Sequence, residues 1–388
     1  MSTEARHASP MATDDTFMPP SRSPWAETWI LLRKNRMALS GLVIFVCFFI
    51  VAVAGLIVTS GQDPILDPAR VRLQEKLRPP LSVPKTDTLR AEALPALGIY
   101  VLGTDDLGRD VFARMLQGAW VSLTVGFVAV GIAVGIGILL GGISGYYGRR
   151  HIQVGHLALA VLLAAVIVLA WHRVFMGAAF LLTAVAIGVI WKKHYLRHRL
   201  PLPVVLKWTA QPTFQVDTLI MRAVDIMLCF PSFFLILTVV ALLPPSIYNI
   251  MVIIGLTSWM GTTRFVRAEF LSLREQDFVA AARALGISDA RIIFRHIMPN
   301  AVAPVLVSAT LGIASAMLTE AGLSFLGFGV PPPHATWGNI LSDGKAFIFD
   351  APWLTFAPGI VILVVVLAFN LFGEGMRDIL NPKLRERN

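Results

Sequence analysis

Apolar residues fall in long blocks separated by shorter polar and basic stretches. Runs near 39–59, 118–141, 154–171, 174–191, 218–243, 246–263, 301–320 and 353–373 each approach the roughly 20 residues that carry a helix across a bilayer. The run at 246–263 is the weakest, because it holds Thr257, Ser258, Thr262 and Thr263. Only helices satisfy their own backbone within one segment in lipid. The pattern therefore predicts an all-α, polytopic transmembrane helical bundle of eight spans.

The polar stretches set the orientation. Residues 1–38 read as a cytoplasmic N-terminal tail, with Arg33, Lys34 and Arg36 just before the first span. Residues 39–59 form that span, and 60–117 read as an external loop region. Residues 118–388 form the main transmembrane domain. Within it, the runs 154–171 and 174–191 make a hairpin in a segment at about 151–214. The basic stretch at Lys192, Lys193, His194, Arg197, His198 and Arg199 returns the chain inside. Eight spans return the C-terminus to the cytoplasm, in agreement with Arg377, Lys383, Arg385 and Arg387.

Composition agrees. Of the 388 residues, 56% are hydrophobic and 15% charged, against about 25% charged in soluble domains. The net charge of +9 lies in the flanks of apolar runs, which argues for a membrane surface and against nucleic acid. Cys47 and Cys229 both lie in apolar runs and read as small buried hydrophobes. Gly131 and Gly135, and Gly137 and Gly141, are spaced to let helix backbones approach closely.

The cytoplasmic segment 264–300 is long and basic. Ala280, Ala281, Ala282, Arg283, Ala284 and Leu285 favour a helix. Gly286 takes the left-handed conformation that ends one. Ser288 caps a second helix, Asp289 suits its positive end, and Pro299 stops it before the next span. A helix–Gly–helix unit of this kind lays an apolar face, here Phe278, Ala281, Ala282 and Leu285, into a groove on a soluble partner. By local physics alone, a solvated amphipathic connector fits as well.

This segment resembles the EAA loop of ABC importer permeases, matching at Ala281, Ala282, Gly286 and Pro299, with Ala280 in place of the Glu. Further stretches resemble dipeptide/oligopeptide-type permeases in order along the chain. They are Arg33–Gly41, Leu102–Asp110, Glu320–Gly327, Val330–Pro333, Trp337–Asn339 and Asn370–Asp378. The resemblance implies the C-type permease of such an importer, with six family helices of a type I fold and an inserted hairpin at 151–214. It implies partners: a second permease, two ATPase subunits that bind ATP and Mg, and an external solute-binding protein. It implies a prokaryotic cytoplasmic membrane and a di- or oligopeptide cargo. No cofactor or metal is expected on this chain, and no catalytic residue. Asp105, Asp106, Arg109, Asp110, Glu320 and Trp337 are then candidates for an external gate or binding-protein contact.

Rival chemistries are weaker. Gly142–Gly145 resembles the Gly-x-Ser-Gly of intramembrane serine proteases, but Ser144 needs a histidine, and His156 and His172 lie only in the insert. His194 and His198 share a helical face among cations that repel a metal. No Gly-x-x-x-x-Gly-Lys-Ser/Thr loop is present, so energy comes from a partner or an ion gradient. An ion-coupled secondary transporter stays open on Asp225, which a local pair with Arg222 explains, and on Glu320.

Overall fold

The computed structural model describes residues 24–61, 63–85, 94–153 and 212–380. The hairpin expected at 154–191, His156, His172, His194 and His198, the far N-terminus and the last basic residues lie outside the described residues.

A short helix, α1 (Pro24–Lys34), leads into α2 (Arg36–Thr59). The break is at Asn35, whose side chain accepts from the Met37 and Ala38 amides at 3.1 Å and so caps α2. An irregular segment follows. It ends earlier than expected, because Asp110 caps α3 (Val111–Tyr147) by accepting from the Phe112 amide at 2.9 Å. At 37 residues, α3 runs well past the bilayer. A two-stranded antiparallel ribbon, His151–Gln153 with Pro212–Gln215, interrupts an otherwise helical fold.

The run expected as one span at 218–243 is instead two helices, α4 (Val216–Leu228) and α5 (Ser232–Leu242), bent by 78°. The cause is Pro231, which brings no N–H and disfavours helix at Phe230. Helix α6 (Ile247–Arg274) is 28 residues long and ends in the basic segment that precedes the next helices. Two short helices follow, α7 (Asp277–Ala284) and α8 (Asp289–Ile292), then a π-turn at Ile293–Ile297. Helix α9 (Met298–Phe325), the short α10 (Trp337–Gly344) and α11 (Trp353–Leu380) complete the order.

Among the described residues, four helical stretches are long and apolar enough to cross a membrane: Arg36–Thr59, Val111–Tyr147, Asp289–Phe325 and Trp353–Ile379. The bent pair α4–α5 makes a fifth if taken as one span. Helix α6 fails that test for the polarity already visible in its sequence.

The tightest pairing is α3 with α6, and glycine makes it. A Cβ on Gly141 would lie 2.6 Å from the Thr263 carbonyl oxygen, and one on Gly137 2.5 Å from Thr262 Cγ2. Only the second glycine pair is used. Gly131 and Gly135 have nothing within 4 Å of the position a Cβ would take. The α3–α6 contact fixes where α6 emerges, and hence where the loop after it sits.

Candidate functional site

The unit α6–α7–α8–α9 is a platform hung on the C-terminal end of α3. Gly286 ends α7 with φ +74°. The Gly286 amide donates to the Arg283 carbonyl (2.9 Å) and the Ile287 amide to the Ala282 carbonyl (3.1 Å). This is the Schellman closure that a left-handed glycine permits. Ser288 occupies the N-cap position of α8, but its side chain makes no capping bond. Asp289 is drawn sideways instead: Tyr146 Oη donates to Oδ1 and Arg150 Nη2 to Oδ2, both at 2.7 Å. Pro299 does not stop the second helix. The π-turn carries the chain from α8 straight into α9, where Pro299 occupies the first turn. A proline is tolerated there, since first-turn amides have no partner inside the helix.

Val279, Ala282, Ile292 and Ile297 are buried against Tyr146, Val266 and Phe270. Burying an aliphatic side chain fully contributes about 1.5–3 kcal/mol. The Arg150–Asp289 pair, with the Arg150 side chain 68% exposed, contributes at most about 1 kcal/mol. Packing therefore holds the platform, and the ion pair orients it. Arg274 adds a buried tie, donating to the carbonyls of Gly145 (3.1 Å) and Tyr146 (3.2 Å). It also pairs with Glu275 at 2.9 Å, which holds that carboxyl below its ordinary pKa.

The expected docking face needs one correction. Ala282 points into the bundle with Val279, so it does not belong with Phe278, Ala281 and Leu285. Those three are exposed, as are Ala280 and Gly286. Phe294, from the π-turn, is also exposed, at 70%, against 79% for Leu285. Sequence reasoning passed over Phe294, because the turn that presents it has no distinct pattern.

Ser144 is fully buried and donates to Asp217 Oδ1 (2.5 Å), whose carboxylate Arg267 grips through Nε (2.5 Å) and Nη2 (2.6 Å). A serine spent on a paired carboxylate ties α3 to α4 and α6. Asp225 also differs from expectation. Its partner is Arg264 of α6 at 2.6 Å, not Arg222.

The external candidates are largely internal. Asp105 is fully buried and accepts from the Leu107 and Arg109 amides, from Arg109 Nε (2.7 Å) and from Arg114 Nη1 (2.5 Å). Arg114 and Arg109 also reach Asp343 on α10, at 2.9 and 3.2 Å. Asp110 is the buried cap of α3, and burial raises its carboxyl pKa. Trp337 is buried, with Nε1 donating to the Met115 carbonyl at 3.1 Å. Glu320 is buried beneath α10, accepts from Ser324 Oγ at 2.7 Å, and has no hydrogen-bond partner on Oε2. None of these four can touch an outside protein in this conformation. Asp106 and Arg109 are partly exposed. Burial first, then the charges of Asp105 and Asp343, raise the Asp106 pKa.

A family model described as binding-protein-dependent transport system inner membrane component matches residues 200–386. Another, the N-terminal TM domain of oligopeptide transport permease C, matches residues 23–80. The chain is 35% identical to the dipeptide transport system permease protein DppC of Alkalihalophilus pseudofirmus, over 98% of this chain and 99% of that one. It is 32% identical to DppC of Haemophilus influenzae, over 96% and 98%. With the oligopeptide transport system permease protein OppC of Bacillus subtilis, identity is 30% over 94% and 92%.

Proposed function

Because this chain belongs to the binding-protein-dependent transport system inner membrane components, as a dipeptide/oligopeptide-type ABC importer permease, we propose that it carries di- or oligopeptides inward with energy from ATPase subunits docked on its cytoplasmic platform. The chain is a permease and not itself an enzyme. It lies in the inner membrane as a multi-pass protein. In the proposed arrangement two ATPase subunits bind ATP and Mg, a second permease lies alongside, and an external solute-binding protein delivers the cargo.

The observation that carries this reading is the platform. Phe278, Ala281, Leu285 and Phe294 stand exposed on a unit whose other face is packed into the bundle. Such a unit transmits a push from a soluble partner to α6 and α9 without unfolding. Loop 264–300 is the lever, and Gly286 sets the angle between α7 and α8. Residues 1–38 and the C-terminus are cytoplasmic, 60–117 face outside, and the type I fold has six family helices plus the inserted hairpin, eight spans in all. Asp106 and Arg109 are the candidate binding-protein contacts. Asp105, Asp110, Glu320 and Trp337 stabilise the outer gate from within.

The test is uptake of a labelled dipeptide into proteoliposomes holding this chain with its partners. Uptake that needs ATP and a peptide-loaded binding protein supports the reading. Uptake by the chain alone under an ion gradient identifies a secondary transporter instead.

A further inference from the structure

The bent pair α4–α5 has a backbone that lipid cannot cover. Pro231 brings no N–H. Among the described residues, no backbone amide is bonded to the carbonyls of Leu228, Cys229 or Phe230. The first amides of α5 lack partners in the same place. The break lies inside a stretch apolar enough to cross the membrane. It is also open: Phe230 is 55% exposed and Cys229 is exposed. Irregular backbone at membrane depth persists only where protein buries it or where it borders water.

A second observation lies on the same side of the bundle. The Asp225–Arg264 pair joins α4 to α6 at 2.6 Å, with side chains 46% and 51% exposed. Arg264 stands about 25 Å along α6 from its first residue, at 1.5 Å per residue. That is where the polar, basic segment 264–300 begins, at the inner edge of the bundle. A half-open ion pair at that edge marks where water reaches the break, since charged groups of a bundle face partners or water-filled paths. The Asp217–Arg267 pair, nearer the cytoplasm, is already tied to Ser144 and needs no such path.

We infer that the α4–α5 break and the Asp225–Arg264 pair border a water-filled solute pathway, with the open carbonyls and the two charges as its polar wall. The inference rests on the permease reading and names the part of the chain that the cargo passes. Water hydrogen-bonds the orphan carbonyls and solvates the pair. The two charges suit a small zwitterionic solute, the arginine facing a carboxylate and the aspartate an ammonium group.

The chain holds its own probe and control. Its only cysteines are Cys229, at the break, and Cys47, exposed on α2. The complete complex in native membranes is treated with a charged methanethiosulfonate, and modification of each thiol is read by mass spectrometry. Cys229 should react at least tenfold faster than Cys47, while a membrane-permeant maleimide reaches both. Equal silence of Cys229 and Cys47 toward the charged reagent overturns the inference. The second arm is the paired variant Asp225→Leu with Arg264→Leu. Against lipid, apolar residues would be tolerated, so normal uptake by a complex that still assembles also overturns it. Uptake lowered tenfold or more with assembly intact supports it. A wild-type complex that fails to take up peptide with ATP refutes the permease reading instead, so the two failures are separable.

Discussion

The left-handed turn at Gly286 gives the sharpest single-residue test. At φ +74° with no atom within 4 Å of the place a Cβ would occupy, the glycine is required by conformation and not by space. An L-residue in that region costs about 1–2 kcal/mol. Asparagine tolerates it better than other residues, and a β-branched residue tolerates it worst. Gly286→Asn, Gly286→Ala and Gly286→Val should therefore form a graded series with the chain still inserted. A cost of about 1–2 kcal/mol lowers the population of the native turn relative to its alternatives by a factor of roughly 5–30. Recovery of ATPase subunits on the tagged chain, and uptake per assembled complex, should fall in the order Asn, Ala, Val. Equal recovery and uptake across the series refutes the reasoning, because the turn would then not set the docking geometry. A loss for Ala as large as for Val points instead to a steric contact that the open surroundings deny.

Three further outcomes follow from the packing. Gly141→Leu should lower the detergent melting temperature of the complex sharply, because its Cβ meets the Thr263 carbonyl at 2.6 Å, whereas Gly131→Ala, in open space, should match wild type or gain slightly. Glu320→Gln, which keeps shape and a hydrogen-bond acceptor, should assemble and transport near wild-type levels, whereas Glu320→Lys puts an unpaired cation in a buried site and should abolish recovery of assembled complex. Ser144→Ala should retain at least half of wild-type uptake, since it removes one hydrogen bond to a carboxylate, worth about 1.5–3 kcal/mol, that Arg267 continues to hold; complete loss of uptake with intact assembly would reopen a nucleophilic role.

The platform was legible wherever a residue type has one dominant backbone use. Gly286 after an alanine-rich run announces a left-handed helix end, and the structure has one there. Faces were harder to read. Val279 and Ala282 go inward while Phe278 and Leu285 go outward, a choice set by where Tyr146 and Phe270 stand and not by α7 itself. Ser288 and Pro299 show local preference overridden: Tyr146 and Arg150 claim Asp289 from another helix, and a π-turn lets the chain continue through the proline's neighbourhood. The break at Pro231 was within reach of the sequence, since a proline inside an apolar run is a recognised bend, but the run's length reads as one span. Long-range partners were out of reach. Nothing in the chain order says that Asp225 meets Arg264, or that Arg114 joins Asp105 to Asp343.

The central claim is that the exposed face of the platform carries the ATPase subunits, and Leu285→Asp tests it most directly. Leu285 is 79% exposed, so the change leaves the fold intact. The measurement is affinity purification of the tagged chain from its native membrane in mild detergent, with ATPase activity assayed on what co-purifies. The wild-type chain should bring down ATPase subunits and a second permease, and the Leu285→Asp chain should keep the permease and lose the ATPase activity. ATPase recovery unchanged by Leu285→Asp, or a wild-type chain that purifies alone, would contradict the account.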